Sequence, residues 1–260
     1  MNIGINFHET FPPTLSYISR LLSVSDGEVR SVQELSDLTG IPQGKSCGKV
    51  GAHLAYMMLM GLLEEDKSTL TALGQMVRAE DPACREVLTQ WLLHANLTGK
   101  QGAAMWHYVY RELLPLNGGT VSMLYFDQKI AETYGPRRRP NVIRTCYSKG
   151  LSELNYLTDD PVVLSVRPQK IRREYLYLYA YDLLREWDAC YGAEQEITAA
   201  QIETLQCAAC FGLSDEEWFS VLETLASKGI LRLNRQLAPY TVVRTASTDS
   251  VMEKIYSLLI

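Results

Sequence analysis

At 260 residues, 47% apolar and 21% charged, the chain has room for one large domain or two small ones. That balance excludes a disordered chain and a coiled coil, and no apolar run approaches the roughly 18 residues needed to span a bilayer. The net charge of −5 excludes a basic field over the whole surface, so any nucleic-acid contact must come from a local patch.

Residues 1–13 carry no basic stretch ahead of an apolar run, so they do not read as a signal peptide. Six cysteines without an export signal are expected to be reduced thiols in a cytoplasmic protein.

In the first 80 residues, Pro13 can open a helix whose apolar face is Leu15, Ile18, Leu21 and Leu22. Ser31 followed by Glu34 is a capping box, and the short helix after it stops at Gly40, ahead of Pro42. A third helix should begin near Gly44 to Ser46, carry Val50, Leu54, Met57 and Met58, and end at Gly61. Leu62 to Glu65 and Thr69-Leu70 read as two short strands around a turn at Asp66 to Ser68. Thr71 then caps a helix with Leu73, Met76 and Val77.

Helix, turn, helix, hairpin, helix is the order of a winged helix, whose helix after the turn usually enters the DNA major groove. A small helical domain with a chance hairpin is the alternative.

Residues 82–157 read as all-helical, with Pro82 opening one helix, Thr120 capping another and Pro140 starting a third. Val162 to Val166 suit a strand. The tyrosines at 175, 177, 179 and 181 alternate as in a strand. The apolar run is too long for one, however, and a buried helix is expected. A second winged-helix order follows. Thr198 caps a helix with Ile202 and Leu205, and Ser214 to Glu217 is a capping box. Strands at Ile230 to Leu233 and Tyr240 to Val243 come next. The phrase of apolar helix, glycine and apolar strand occurs at both Gly61 and Gly229. The expected fold is mainly α: a winged helix-turn-helix domain at 1–81, a helical domain with a basic stretch at 82–192, and a winged-helix-like domain at 193–260.

Candidate chemistry is sparse. Gly44-Lys45-Ser46 lacks the glycine of a phosphate-binding loop, because position 39 is Thr. Lys45, Ser46 and Lys49 instead mark a helix start where free amides and the dipole favour a phosphate, or a solvated polar cap. Cys207-Ala208-Ala209-Cys210 has no second pair to complete a zinc site, so two buried thiols are expected. His8, His53, His94 and His107 form no ligand or catalytic spacing. No catalytic residue, metal site or cofactor is expected.

Residues 135–173 hold nine basic residues against Glu153, Asp159 and Asp160, a local +6 that leaves −11 on the remainder. Arg137, Arg138, Arg139, Arg144, Lys149, Arg167, Lys170, Arg172 and Arg173 therefore suit an anionic surface, a solvated face or an acidic partner protein.

The segment Phe7-His8-Glu9-Thr10-Phe11-Pro12 resembles the opening signature of an uncharacterised bacterial family, domain of unknown function four-thousand-and-seven. Gly44-Lys45 before a long helix, Leu70-Thr71-Ala72-Leu73-Gly74 and Trp91-Leu92-Leu93-His94 continue the resemblance over residues 5–100. Asn6 departs from it, standing where a glycine often precedes the histidine.

Members often stand beside genes for DNA phosphorothioate modification and phage defence, so the resemblance implies that context and supplies no chemistry. His8 and Glu9 could contact a partner or nucleic acid. The preferred expectation is that His8 and Glu9 tie the N-terminal strand to the domain by hydrogen bonds, with Phe7 and Phe11 as anchors.

The leading expectation is a non-enzymatic DNA-binding accessory protein of such a system. Lys45, Ser46 and Lys49 would approach the duplex, Lys67 would sit on the wing, and Arg137–Arg139, Arg144, Arg172 and Arg173 would hold phosphates. Phosphorothioate-modified DNA and other subunits of the complex are the partners expected, without a membrane. A scaffold subunit for a modification or sulfur-transfer enzyme, and an operon transcriptional regulator, are the alternatives.

Overall fold

The structure, a computed structural model, describes residues 3–43, 48–136, 140–158, 160–236 and 239–259. They are mainly helical, with two small sheets. Helices α1 (Leu15–Val24), α2 (Val32–Thr39), α3 (Lys49–Leu59) and α4 (Ala72–Glu80) come first. The expected caps are present. Ser31 and Glu34 form a full capping box on α2, and the Thr71 hydroxyl accepts from the Gly74 amide on α4. Thr14 rather than Pro13 stands at the N-cap of α1. The start predicted for α3 at 44–46 lies outside the described residues, and the helix is seen from Lys49.

Between α3 and α4 the predicted hairpin contracts to one rung, Leu63 opposite Leu70. The connecting turn leaves no room for more. Asp66 accepts from the Ser68 and Thr69 amides and from the Thr69 hydroxyl, and Lys67 takes φ +62°.

The Gly61 and Gly229 phrases share one local cause. Both glycines take left-handed φ, +76° and +71°. In each, the glycine amide bonds a carbonyl three residues back (Met58 and Ala226) and the next amide one five residues back (Met57 and Leu225). This is the Schellman closure, which leads the chain out of the helix with its carbonyls satisfied.

Gly74, in α4, solves a different problem. A Cβ there would lie 2.1 Å from the Leu62 carbonyl oxygen, a backbone atom that cannot step aside. Gly74→Ala should therefore destabilise the protein by about 1–3 kcal/mol. A melting temperature equal to that of the parent would contradict this packing.

The middle of the chain runs α5 (Val87–Thr98), α6 (Ala104–His107), a π-helical turn (Tyr108–Leu113) and α7 (Leu114–Leu116). Strand β1 (Thr120–Ser122), α8 (Met123–Tyr134), α9 (Asn141–Thr145), a second π-helical turn (Cys146–Gly150) and β2 (Val163–Ser165) complete it. Three expectations change here. Pro82 opens no helix, because Cys84 is left-handed at φ +52° and the Asp81 carboxylate caps the Arg85 and Glu86 amides, so α5 begins at Val87. Thr120 lies in β1, and Ser122 caps α8. The middle is not all-helical, since β1 pairs antiparallel with β2, Val121 opposite Leu164.

The tyrosine run is the buried helix α10 (Leu176–Tyr191), entered through a 3₁₀ turn at Arg173–Tyr175. The C-terminal part runs β3 (Glu196–Thr198), α11 (Ala199–Thr204), α12 (Cys207–Cys210), α13 (Asp215–Ser227), β4 (Leu231–Asn234), β5 (Thr241–Arg244) and α14 (Thr248–Met252). Strand β5 lies between β3 and β4, antiparallel to both. Strand β3 is not predicted from the sequence. Capping boxes hold α11 (Thr198 with Gln201) and α13 (Ser214 with Glu217). Buried apolar side chains from Ile18 to Ile255 form one packed cluster.

Candidate nucleic-acid interface

The family-like motif is built into an aromatic cluster and forms no strand. Successive turns, Phe7 N to Gly4 O, Glu9 N to Asn6 O and Phe11 N to His8 O, coil the segment instead. His8 is fully buried, 5.5 Å from the Trp106 ring, and Phe7 lies 5.0 Å from Tyr56. The Tyr56 hydroxyl donates to the Phe11 carbonyl. Glu9 is half-buried with φ +52°, and Thr10 is exposed.

This anchored segment holds the start of α3 in place. His53 Nε2 accepts from the Thr14 amide at 3.0 Å, and its Nδ1 donates to the Lys49 carbonyl at 2.6 Å. Burial holds His53 below its ordinary pKa, and the neutral ring is the form that makes both bonds. The Lys49 ammonium stands 5.8 Å from the Phe11 ring and 5.6 Å from Tyr17, a cation–π seat that leaves its charge half-exposed.

On the other side of the segment, Gly150 packs so closely that a Cβ would lie 2.3 Å from the Pro13 carbonyl oxygen. Lys149, next to it, is exposed, and Arg144 is half-buried one turn earlier. Lys49 and Lys149 thus border the same stretch of backbone. Sequence reading placed Lys149 in the basic stretch but omitted it from the candidate contacts. Only the tertiary packing of Gly150 on Pro13 brings it to the Phe11–Thr14 segment.

Lys67 is exposed at its turn, and Asp66 beside it is drawn down to about 2, chiefly by the Thr69 hydroxyl and amide. Arg173 is exposed at the entrance to α10. Arg172 is exposed but engaged. It pairs with Glu174 at 3.2 Å and donates to the Tyr175 hydroxyl at 2.6 Å, with its guanidinium 5.0 Å above that ring.

Beside Arg172 is a cleft of about 320 Å³ floored by Trp91, Tyr175, Tyr179 and Phe211, with Lys170 on its rim. Lys170 reaches Glu217 at 3.3 Å. Lys45, Ser46 and Arg137–Arg139 lie outside the described residues. The described cations fall into separate groups: Lys49 at the start of α3, Lys149 beside Gly150, Lys67 at its own turn, and Arg172 with Arg173. No hydrogen bond among the described residues links one group to another.

The two thiols of the CxxC stretch are buried in α12. Burial pushes Cys207 well up and Cys210 to about 12, so neither is a thiolate at neutral pH. No group of three or more His, Cys, Asp or Glu among the described residues could hold a metal ion. No helix of the described residues is long and apolar enough to cross a membrane.

No protein-family model matches the chain, and no curated relative does. Two solved structures share its fold. A magnesium ion-bound SspB crystal structure gives a TM-score of 0.74 at 15% identity, covering 97% of this chain and 88% of that one. An SspB crystal structure gives 0.72 at the same identity and coverage. At that identity the likeness is one of fold.

Proposed function

We propose that the chain is a non-enzymatic, DNA-binding accessory protein of a DNA phosphorothioate-modification or phage-defence system. It would be a member of the uncharacterised family that its first hundred residues resemble. The observation that carries the reading is the pair Lys49 and Lys149 bordering the anchored Phe11–Thr14 segment at the start of α3. In this reading the two orders of helix, turn, helix and hairpin are winged helices, in domains spanning 1–81 and 193–260. The helix after the first turn is α3, whose start then meets the duplex, with Lys67 on the wing. Arg144, Arg172 and Arg173 hold phosphates further along, together with Lys45, Ser46 and Arg137–Arg139. A fold shared with SspB over 97% of the chain supports this reading.

Phosphate contacts position a protein on DNA without reading its sequence. Sulfur preference would therefore appear as a difference between modified and plain duplexes of the same sequence. Replacing Lys49 and Lys149 with Glu should weaken binding to both duplexes alike and lower the salt slope by about 2, one for each lost phosphate contact. Binding unchanged in that double variant would remove these residues from the interface. Retained binding that does not distinguish the modified duplex would make the protein a general DNA clamp rather than a reader of sulfur.

A further inference from the structure

Between the π-helical turn with α7 on one side and α11 to α13 on the other lies a cleft of about 860 Å³, within the size range of ligand pockets. Its floor is apolar, formed by Leu114, Ala208, Leu213 and Trp218, and Leu116 stands at its edge 84% exposed. Its rim is acidic. Glu112, Glu203 and Asp215 are exposed along it.

Few of these charges are neutralised from within. Glu203 and Asp215 have no ion pair among the described residues. Glu112 has only His107, 3.5 Å away, whose ring burial keeps neutral. The one guanidinium among the described lining residues, Arg111, is closed off by Asp182 at 2.7 Å. Asp215 and Glu217 occupy the first turn of α13, so the helix dipole is already answered and an anion would be repelled. Nucleic acid does not fit this face.

We propose that the cleft docks a segment of a partner protein in which an apolar side chain is flanked by lysine or arginine. The apolar side chain enters the floor beside Leu116, and the flanking cations meet Glu112, Glu203 and Asp215. Charge complementarity selects this occupant: an acidic rim around an apolar floor rewards both halves of such a segment and rejects an acidic one. The site goes beyond the DNA reading and does not depend on it, because none of its residues belongs to the proposed duplex interface.

The test uses the full chain and a short fluorescent peptide of leucines flanked by lysines, with a benzophenone photo-cross-linker replacing one leucine. Two control peptides carry serine for leucine or glutamate for lysine. The expected result is binding of the first peptide alone, with cross-links to 112–118 or 203–218. Glu203→Gln with Asp215→Asn should weaken it about tenfold, and Leu116→Ser should weaken it as well. These side chains are exposed, so the variants should keep the parent melting temperature. Equal affinity for the serine control, cross-links elsewhere, or affinity untouched by the rim variants would overturn the proposal. So would displacement of the peptide by duplex DNA, or a second copy of the chain filling the cleft in sedimentation.

Discussion

Replacing Asp182 with Ala should cost the protein about 3–5 kcal/mol, the cost of leaving buried charge uncompensated. Asp182 is fully buried in α10 and accepts from Arg111 at 2.7 Å and Arg185 at 3.0 Å. Burial opposes its charge, but the two guanidiniums hold its carboxyl below the ordinary value. Arg111 also donates to the Thr98 and Leu205 carbonyls. Arg185 reaches the Ala95 carbonyl and the Asn96 side chain, and Glu186 caps the Lys100 amide.

The network therefore fastens α10 to the end of α5, to the π-helical turn and to the loop after α11. Without Asp182, Arg111 keeps its charge with a side chain only 1% exposed. At about 2–4 °C per kcal/mol for a chain of this size, the melting temperature should fall by about 10 °C. Asp182→Asn should destabilise almost as much, since it keeps the shape but not the charge. A shift of under 2 °C in both variants would show that the pair does not hold these elements together.

Stability should also fall as the pH drops from about 6.5 toward 3, with His94 the largest single cause. His94 is completely buried among Trp91, Tyr110, Tyr147 and Tyr156. Its Nε2 donates to the Cys210 carbonyl at 2.9 Å, which leaves Nδ1 to accept from the Tyr147 hydroxyl at 2.7 Å. Burial pushes the ring down to about 3, from an ordinary value of 6.5.

The sign follows from linkage. Below 6.5 the unfolded chain takes up a proton that the folded chain refuses, so unfolding is favoured by about 1.4 kcal/mol per pH unit until the folded ring titrates. His53 and His107 are also lowered by burial and steepen the early part of the decline. Denaturant unfolding from pH 7 to pH 4 measures the slope. His94→Gln should lower stability at pH 7 by about 1–3 kcal/mol, for the hydrogen bonds lost, and flatten the acid slope by one proton. A flat profile in the parent, or equal slopes in the two proteins, would contradict the buried neutral ring.

The parts of this fold legible in the sequence are those decided within a few residues. The capping boxes at Ser31 and Ser214, the cap at Thr198, the Gly61 and Gly229 closures, and the tyrosine-rich helix α10 all depend on neighbours close in the chain. The illegible parts depend on distant ones. Thr120 resembles a helix cap, but Ser165 pairs with it across 45 residues and makes it strand. Pro82 resembles a helix start, but the Asp81 side chain has already capped the backbone further on.

The site divides in the same way. The basic character of 135–173 is visible as a charge sum, whereas the approach of Lys149 to the segment that Lys49 also borders requires the contact of Gly150 with Pro13. The Arg111–Asp182 pair, 71 residues apart, had no local signal. Neither did the acidic cleft, whose carboxylates come from three separate helical segments and look like ordinary surface in sequence.

The salt dependence of binding tests most directly whether the protein holds duplex DNA through its lysines and arginines. Each neutralised phosphate lowers the logarithmic slope of affinity against salt by about 0.9. Contacts from Lys49, Lys67, Arg144, Lys149, Arg172 and Arg173 predict a slope of about −5.4, equivalent to a loss of about 2000-fold between 50 and 200 mM salt. A slope near zero, or no binding at the lower salt, would contradict the claim and leave the basic surface to a protein partner.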